Sequence, residues 1–168
     1  MALQSLDSFC NWLAATTVSQ TIQTIDWIIP AVQTVHILAV AAVVSSALMI
    51  NLRLLGLRRN DQSVAAVTQR FLPFIWWPLP LLLLTGAILI VAEPARALEN
   101  PVFLLKMGLL LAAAGVTLAC QLPIRTNEAF WELSPGRRRA AQLIALTSIP
   151  LWIAIVCAGR WIAYVQGT

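Results

Sequence analysis

Charged residues are scarce in this chain: Asp, Glu, Lys and Arg make up 11% of its 168 residues, whereas 60% are hydrophobic. An average soluble domain carries about a quarter charged residues and slightly under half apolar ones. A chain with so little charge cannot cover a water-soluble core of its size with polar surface. The scarcity therefore excludes an ordinary soluble enzyme, a disordered protein and a disulfide scaffold. The mean hydropathy of +0.81 indicates an integral membrane protein.

The residue types that usually build reaction centres are also few. The chain has one histidine, His36, and three scattered cysteines, Cys10, Cys120 and Cys157, without any CxxC spacing. An odd number of cysteines without ligand spacing favours buried small hydrophobic side chains over disulfides or metal ligands. The sequence contains no recognisable catalytic triad, carboxylate pair or phosphate-binding loop, so it leaves open whether the protein is an enzyme.

Long hydrophobic runs dominate instead. Four runs carry no charge or almost none, and each can cross ~30 Å of hydrocarbon as a helix. Short connections between consecutive runs favour antiparallel neighbours. We therefore expect an all-α integral membrane protein, an up-down four-transmembrane-helix bundle, as a single membrane domain over residues 1–168. The predicted transmembrane helices are 27–52, 71–92, 101–122 and 140–165.

Prolines mark helix starts and irregularities. Asn100 and Pro101 have the residue types of an N-cap and a first helical residue, so they predict the start of the third span. Pro78 and Pro80 in the second span and Pro150 in the fourth are expected to kink or locally unwind their helices.

The N-terminal stretch predicts one further helix, over residues 3–15. Its apolar residues recur at helical spacing while Asp7 and Asn11 lie off that stripe, which is typical of an amphipathic helix in the membrane interface. The stripe consists of Leu3, Leu6, Phe9, Cys10 and Leu13.

Arginines are concentrated in two connections, the first and the third. Because basic residues are retained on the cytoplasmic side, this pattern predicts a multi-pass protein of the bacterial inner (plasma) membrane with both termini in the periplasm. The formal net charge of +4 comes largely from these clusters, so we expect contact with the lipid bilayer and no nucleic-acid partner. The clusters are Arg53, Arg58, Arg59 and Arg70, and Arg125, Arg137, Arg138 and Arg139.

Three ionisable residues lie well inside the spans, where such groups are costly and typical of functional sites. His36 is nine residues beyond Trp27, which places it roughly 14 Å from the predicted outer end. Lys106 and Arg160 lie roughly 7 Å from the same side. All three are therefore predicted in the outer half of the membrane. Polar or sulfur-containing residues at similar heights on the same or neighbouring helices are Gln33, Thr85, Cys157 and Tyr164.

This cluster favours a b-type haem, with His36 ligating iron and basic side chains meeting the propionates. Lys106 is the alternative second axial ligand, provided that desolvation keeps its amine neutral. Copper held by His36, Met107 and Cys157 is the competing metal site. The equally simple interpretation without a cofactor is that His36 bonds across helices while Lys106 and Arg160 reach the interface.

Three strings resemble an uncharacterised family of small bacterial four-span integral membrane proteins: VHILAVAAVVSSALMINLRLLG (35–56), NPVFLLKMGLLLAA (100–113) and AGRWIAY (158–164). The layout of His36, Arg53 and Lys106 is more distantly similar to the four-helix haem-binding protoporphyrinogen oxidase of bacteria and to copper-resistance membrane domains. The oxidase resemblance implies a haem site at His36 with Lys106 as its partner.

The leading hypothesis is thus a haem b protein that transfers electrons to or from a quinone or a partner subunit. The alternatives are a non-catalytic structural subunit of a larger membrane complex and a small-molecule or copper permease component. A homodimer would supply a second His36.

The predicted orientation is tested by reporter fusions. Alkaline phosphatase fused to the C-terminus should be active and a fluorescent-protein fusion there dark, because the former needs an oxidising compartment. A fusion in the third connection should give the reverse pattern. A bright C-terminal fluorescent fusion would contradict the predicted topology.

Overall fold

The computed structural model describes residues 2–57, 62–162 and 164, and the regular structure in these residues is helical. Arg58 and Arg59 of the first arginine cluster lie outside the described residues, as do Val165, which is the predicted end of the fourth span, and the side chain of Leu3. The helices are α1 (Ala2–Ala14), α2 (Thr17–Thr24), α3 (Ile28–Leu54), α4 (Val64–Phe71), α5 (Pro73–Trp76), α6 (Pro78–Ala92), α7 (Pro94–Leu98), α8 (Pro101–Thr126) and α9 (Pro135–Trp161).

Four helical stretches of the described chain are long and apolar enough to cross a membrane: Ile28–Leu54, Val64–Ala92, Pro101–Thr126 and Pro135–Trp161. The prediction of an all-α membrane protein with four spanning helices and a short N-terminal helix is confirmed. The helices extend beyond the predicted spans at their arginine-rich ends. Hydropathy ends a span at the first charges, whereas a helix continues through arginines, which have good helix propensity.

Prolines interrupt the second spanning stretch but not the fourth. The helix breaks at Pro73 and Pro78, because a proline supplies no backbone N–H to the ladder. Pro80 lies within the first turn of α6, and α9 continues through Pro150. The expected unwinding at Pro80 and Pro150 is therefore absent, and the break at Pro73 was not foreseen.

The chain divides into two compact units. The first comprises Met1–Ala41, Pro78–Met107 and Val156–Thr168, and the second comprises Ala42–Trp77 and Gly108–Ile155. Each unit thus contains a segment of every membrane-crossing helix.

In the first unit, α1 packs on α7, α6 and α2. Cys10 of α1 is 1% exposed, and burial together with a hydrogen bond to Glu99 raises the pKa of its thiol. The side-chain amide of Gln23 in α2 donates to the carbonyl of Ala92 at 2.6 Å, which satisfies a carbonyl at the end of α6. These contacts fasten the N-terminal helices to the membrane-crossing part of this unit.

Asn100 caps α8, as the sequence predicts. Its side-chain oxygen accepts a hydrogen bond from Val102 N at 2.9 Å, and Pro101 is the first helical residue. The cap fixes where α8 begins, and it therefore sets the height of Lys106 one and a half turns later.

In the second unit, Glu132 joins two helix ends. Its carboxylate lies 3.5 Å from the Arg53 guanidinium near the end of α3 and accepts from Val64 N at the start of α4 at 3.0 Å. Arg53 also donates to the Gln62 carbonyl at 2.8 Å. A carboxylate at a helix N-terminus satisfies a free backbone N–H and opposes the positive end of the helix dipole. The sequence carries no local signal for this role, because Glu132 and Val64 lie 68 residues apart.

We expect Glu132→Ala to lower the free energy of unfolding by about 1 kcal/mol, the usual cost of losing a helix N-terminal acceptor. Glu132→Gln should cost less, because it retains an acceptor oxygen. Glu128→Ala is the matched control: this exposed residue contacts only the Gln69 side chain at 3.1 Å among its described hydrogen bonds. Denaturant unfolding in detergent micelles measures the three variants, and equal losses at positions 128 and 132 would contradict the capping role.

Candidate functional site

The candidate site in the first unit is centred on His36, which α3 presents toward α6. Its Nδ1 lies 2.8 Å from Thr85 Oγ1. His36 is half-buried and Thr85 is 5% exposed, so the hydrogen bond between them lies largely beneath the surface of the chain. Sequence reasoning identified Thr85 by its height as able to face inward, and the structure places it against His36.

Thr85 also forms a hydrogen bond within its own helix. Its Oγ1 lies 2.7 Å from the Leu81 carbonyl oxygen, which can only accept. When the hydroxyl donates to Leu81 and accepts from Nδ1–H of His36, Nε2 carries the lone pair of the neutral ring. When the hydroxyl donates to Nδ1 instead, the ring proton is on Nε2. Among the described residues, no group forms a hydrogen bond with that nitrogen.

A glycine lies beside the ring. A Cβ at Gly86 would be 3.8 Å from His36 Cε1, so the residue after Thr85 has no side chain over this edge of the imidazole. The sequence signal is a glycine directly following Thr85, and sequence reasoning did not use it.

Lys106 reaches the same region from α8 and lies over a second glycine. Its Nζ is 3.6 Å from the position that a Cβ of Gly159 in α9 would take. The side chain is half-buried. No carboxylate of the described residues forms an ion pair with it. The first unit therefore holds both an imidazole and a cation that has no protein counter-ion within the described part of the chain.

The other predicted site residues lie apart from this pair. Arg160 and Tyr164 are both exposed and contact each other: a guanidinium nitrogen lies 3.5 Å from the phenol oxygen, and the guanidinium carbon is 5.9 Å from the ring centroid. Gln33, one turn before His36, is also exposed. The structure thus brings His36 and Thr85 into contact, places Lys106 beside Gly159 in the same unit, and shows Arg160 with Tyr164 as a pair of their own.

The residues of the copper alternative differ in exposure. Met107 is 40% exposed and Cys157 is exposed, whereas His36 is half-buried. In residues 2–57, 62–162 and 164, no three His, Cys, Asp or Glu side chains converge as a metal-binding group. The described site thus consists of one imidazole hydrogen-bonded to Thr85.

Residues 9–165 match the model of DUF6644, a family of unknown function. The chain is a member of this family. The match includes His36, Thr85, Lys106 and Arg160, and it agrees with the resemblance to an uncharacterised family of four-span membrane proteins. No curated protein and no solved structure matches the chain.

Proposed function

We propose that this family member is a bacterial inner-membrane protein that binds haem b through His36 and transfers electrons to or from a quinone or a partner subunit. The observation that carries the proposal is the hydrogen bond between His36 Nδ1 and Thr85 Oγ1 at 2.8 Å, while Nε2 forms no hydrogen bond within the described residues. With the ring proton on Nδ1 and donated to Thr85, Nε2 is the ligand to iron. Histidine ligands of metals are typically fixed in this way by a hydrogen bond from the other ring nitrogen.

Lys106 supports the same proposal through its charge. A cation within a membrane span is costly unless an anion or a polar cavity compensates it. No carboxylate of the described residues pairs with Lys106, whereas haem propionates would supply negative charge. We therefore assign Lys106 to the propionates, with Arg160 as a second, more exposed cation at the same side of the chain.

The number of histidines in the chain also fits a haem that takes one imidazole ligand from each protomer. The chain holds a single histidine, so one protomer supplies one imidazole ligand. A b-type haem supplies one-electron chemistry when bound. The chain's own residues hold the iron ligand in one orientation and place a positive charge nearby. A homodimer would bring two His36 side chains.

The arginine clusters support the orientation of this site. With these clusters in the cytoplasm, as the positive-inside rule predicts, both termini and the His36 half of the membrane lie on the periplasmic side. Electron exchange would then occur near the periplasmic surface.

The decisive measurement is the absorption spectrum of protein purified from cells supplied with a haem precursor, with a pyridine haemochrome assay. We expect a Soret band that His36→Ala abolishes, because the only imidazole is lost. Thr85→Val should weaken hemin binding by about 10- to 100-fold, because the ring loses the partner that orients it. Gln33→Ala is the matched control on the same helix and should retain the band.

Some results would contradict haem binding. A colourless protein that stays colourless after hemin reconstitution, and that co-purifies with stoichiometric partners, would favour a structural subunit. His36-dependent copper binding without a Soret band would favour the copper alternative, and flux through vesicles would favour a permease component.

The role of Lys106 is separated from iron ligation by two substitutions. Arginine keeps the charge but does not lose its proton, so it cannot act as a neutral ligand. We expect Lys106→Arg to retain the spectrum and Lys106→Met to weaken hemin binding. A Soret shift or spin-state change in both variants alike would instead identify Lys106 as the second axial ligand.

A further inference from the structure

The second unit contains a polar cavity that the haem proposal does not use. The cavity has a volume of about 20 Å³ and is lined by residues of α3, α4, α5, α8 and α9 and by Leu72 between α4 and α5. Its polar and sulfur-containing lining residues are Asn51, Thr68, Thr117, Cys120, Gln121 and Ser148.

Thr68 is the unusual member of this set. It is 3% exposed, and its hydroxyl has no hydrogen-bond partner among the described residues. Other helical threonines donate to the carbonyl four residues earlier, as Thr117 does to Ala113 at 2.8 Å and Thr147 to Leu143 at 2.9 Å. A hydroxyl buried without a partner costs free energy, and buried polar atoms are therefore almost always bonded to protein or to ordered water. Thr68 thus needs a partner inside the cavity.

The remaining lining groups have the capacity to supply further bonds. The Asn51 amide nitrogen donates to Ser148 Oγ at 2.9 Å, which leaves the Asn51 side-chain oxygen as an acceptor. The Gln121 oxygen accepts from Trp76 Nε1 at 3.3 Å, which leaves the Gln121 amide nitrogen as a donor. Donors and acceptors from different helices therefore face one small space.

We propose that this cavity is a binding site for one ordered water molecule, held by Thr68 together with Asn51, Gln121 and Ser148. A cavity needs about 10–15 Å³ of space that the centre of a water molecule can occupy, and the volume of the cavity given above is of this kind. A buried water makes two to four hydrogen bonds. The lining is uncharged, so a bare cation would lose its hydration without a counter-charge. The water links the α4 hydroxyl to the buried polar pair of α3 and α9. This inference does not depend on haem binding.

Thermal unfolding in detergent tests the site, because the sign of the Tm change that one substitution causes depends on whether the hydroxyl has a partner. Thr68→Val keeps the shape of the side chain and removes the hydroxyl. If the hydroxyl binds water, Thr68→Val lowers the Tm by about 2–4 °C and Thr68→Ser largely preserves it. If the hydroxyl has no partner, removing it leaves the Tm unchanged or raises it, and the proposal fails. Thr147→Val, on the exposed side of α9, is the matched control and should change the Tm little.

A second measurement uses the wild-type protein and does not depend on the variants folding. Solid-state NMR in bilayers should show magnetisation transfer from water to the side-chain amides of Asn51 and Gln121 and to Thr68. Absence of transfer to all three would overturn the proposal. Exchanging sodium for choline should leave the Tm unchanged, and a sodium-dependent Tm abolished by Thr68→Val would identify a cation site instead.

Discussion

Hydrocarbon cannot hydrogen-bond to a polar group, and this constraint governs every polar side chain in the four membrane-crossing helices. Threonine and serine meet it locally: Thr34, Ser46 and Thr147 donate to the carbonyl one turn earlier. Larger polar groups meet it across helices, as Asn51 does with Ser148. Each such bond satisfies a polar group and also fixes the relative rotation of two helices. The polar residues therefore determine which faces of these apolar helices meet, a choice that uniform hydropathy leaves open.

The same constraint explains which parts of the fold the sequence can predict. A span needs about 20 apolar residues, so hydropathy locates the four helices. It does not locate their ends, because arginine-containing turns such as Arg137–Arg139 continue α9 outside the apolar run. The cap at Asn100 is predictable because it is a local motif. The link between Glu132 and Val64 joins residues 68 positions apart and has no local signal.

The candidate site, like the fold, is only partly predictable from the sequence. The prediction that His36 and Lys106 lie in the same half of the membrane follows from counting residues along helices whose direction is itself predicted from the arginine clusters. The contact between His36 and Thr85 depends on helix rotation, which the sequence does not specify. The exposed pair of Arg160 and Tyr164 agrees with the spacing of four residues that places two side chains on one helix face, although Tyr164 lies just beyond the end of α9 at Trp161. Glycines 86 and 159 were missed because a glycine in a membrane helix usually indicates only close packing.

His36 and Lys106 each have polar groups without a protein partner in the described residues. His36 forms a hydrogen bond through Nδ1 alone, and no carboxylate pairs with Lys106. An unpaired polar group in hydrocarbon is costly, so both residues call for partners that the described chain does not supply. A ligand with a metal at its centre and carboxylates at its edge would provide both partners. This is the reason for proposing a metalloporphyrin rather than a bare metal ion.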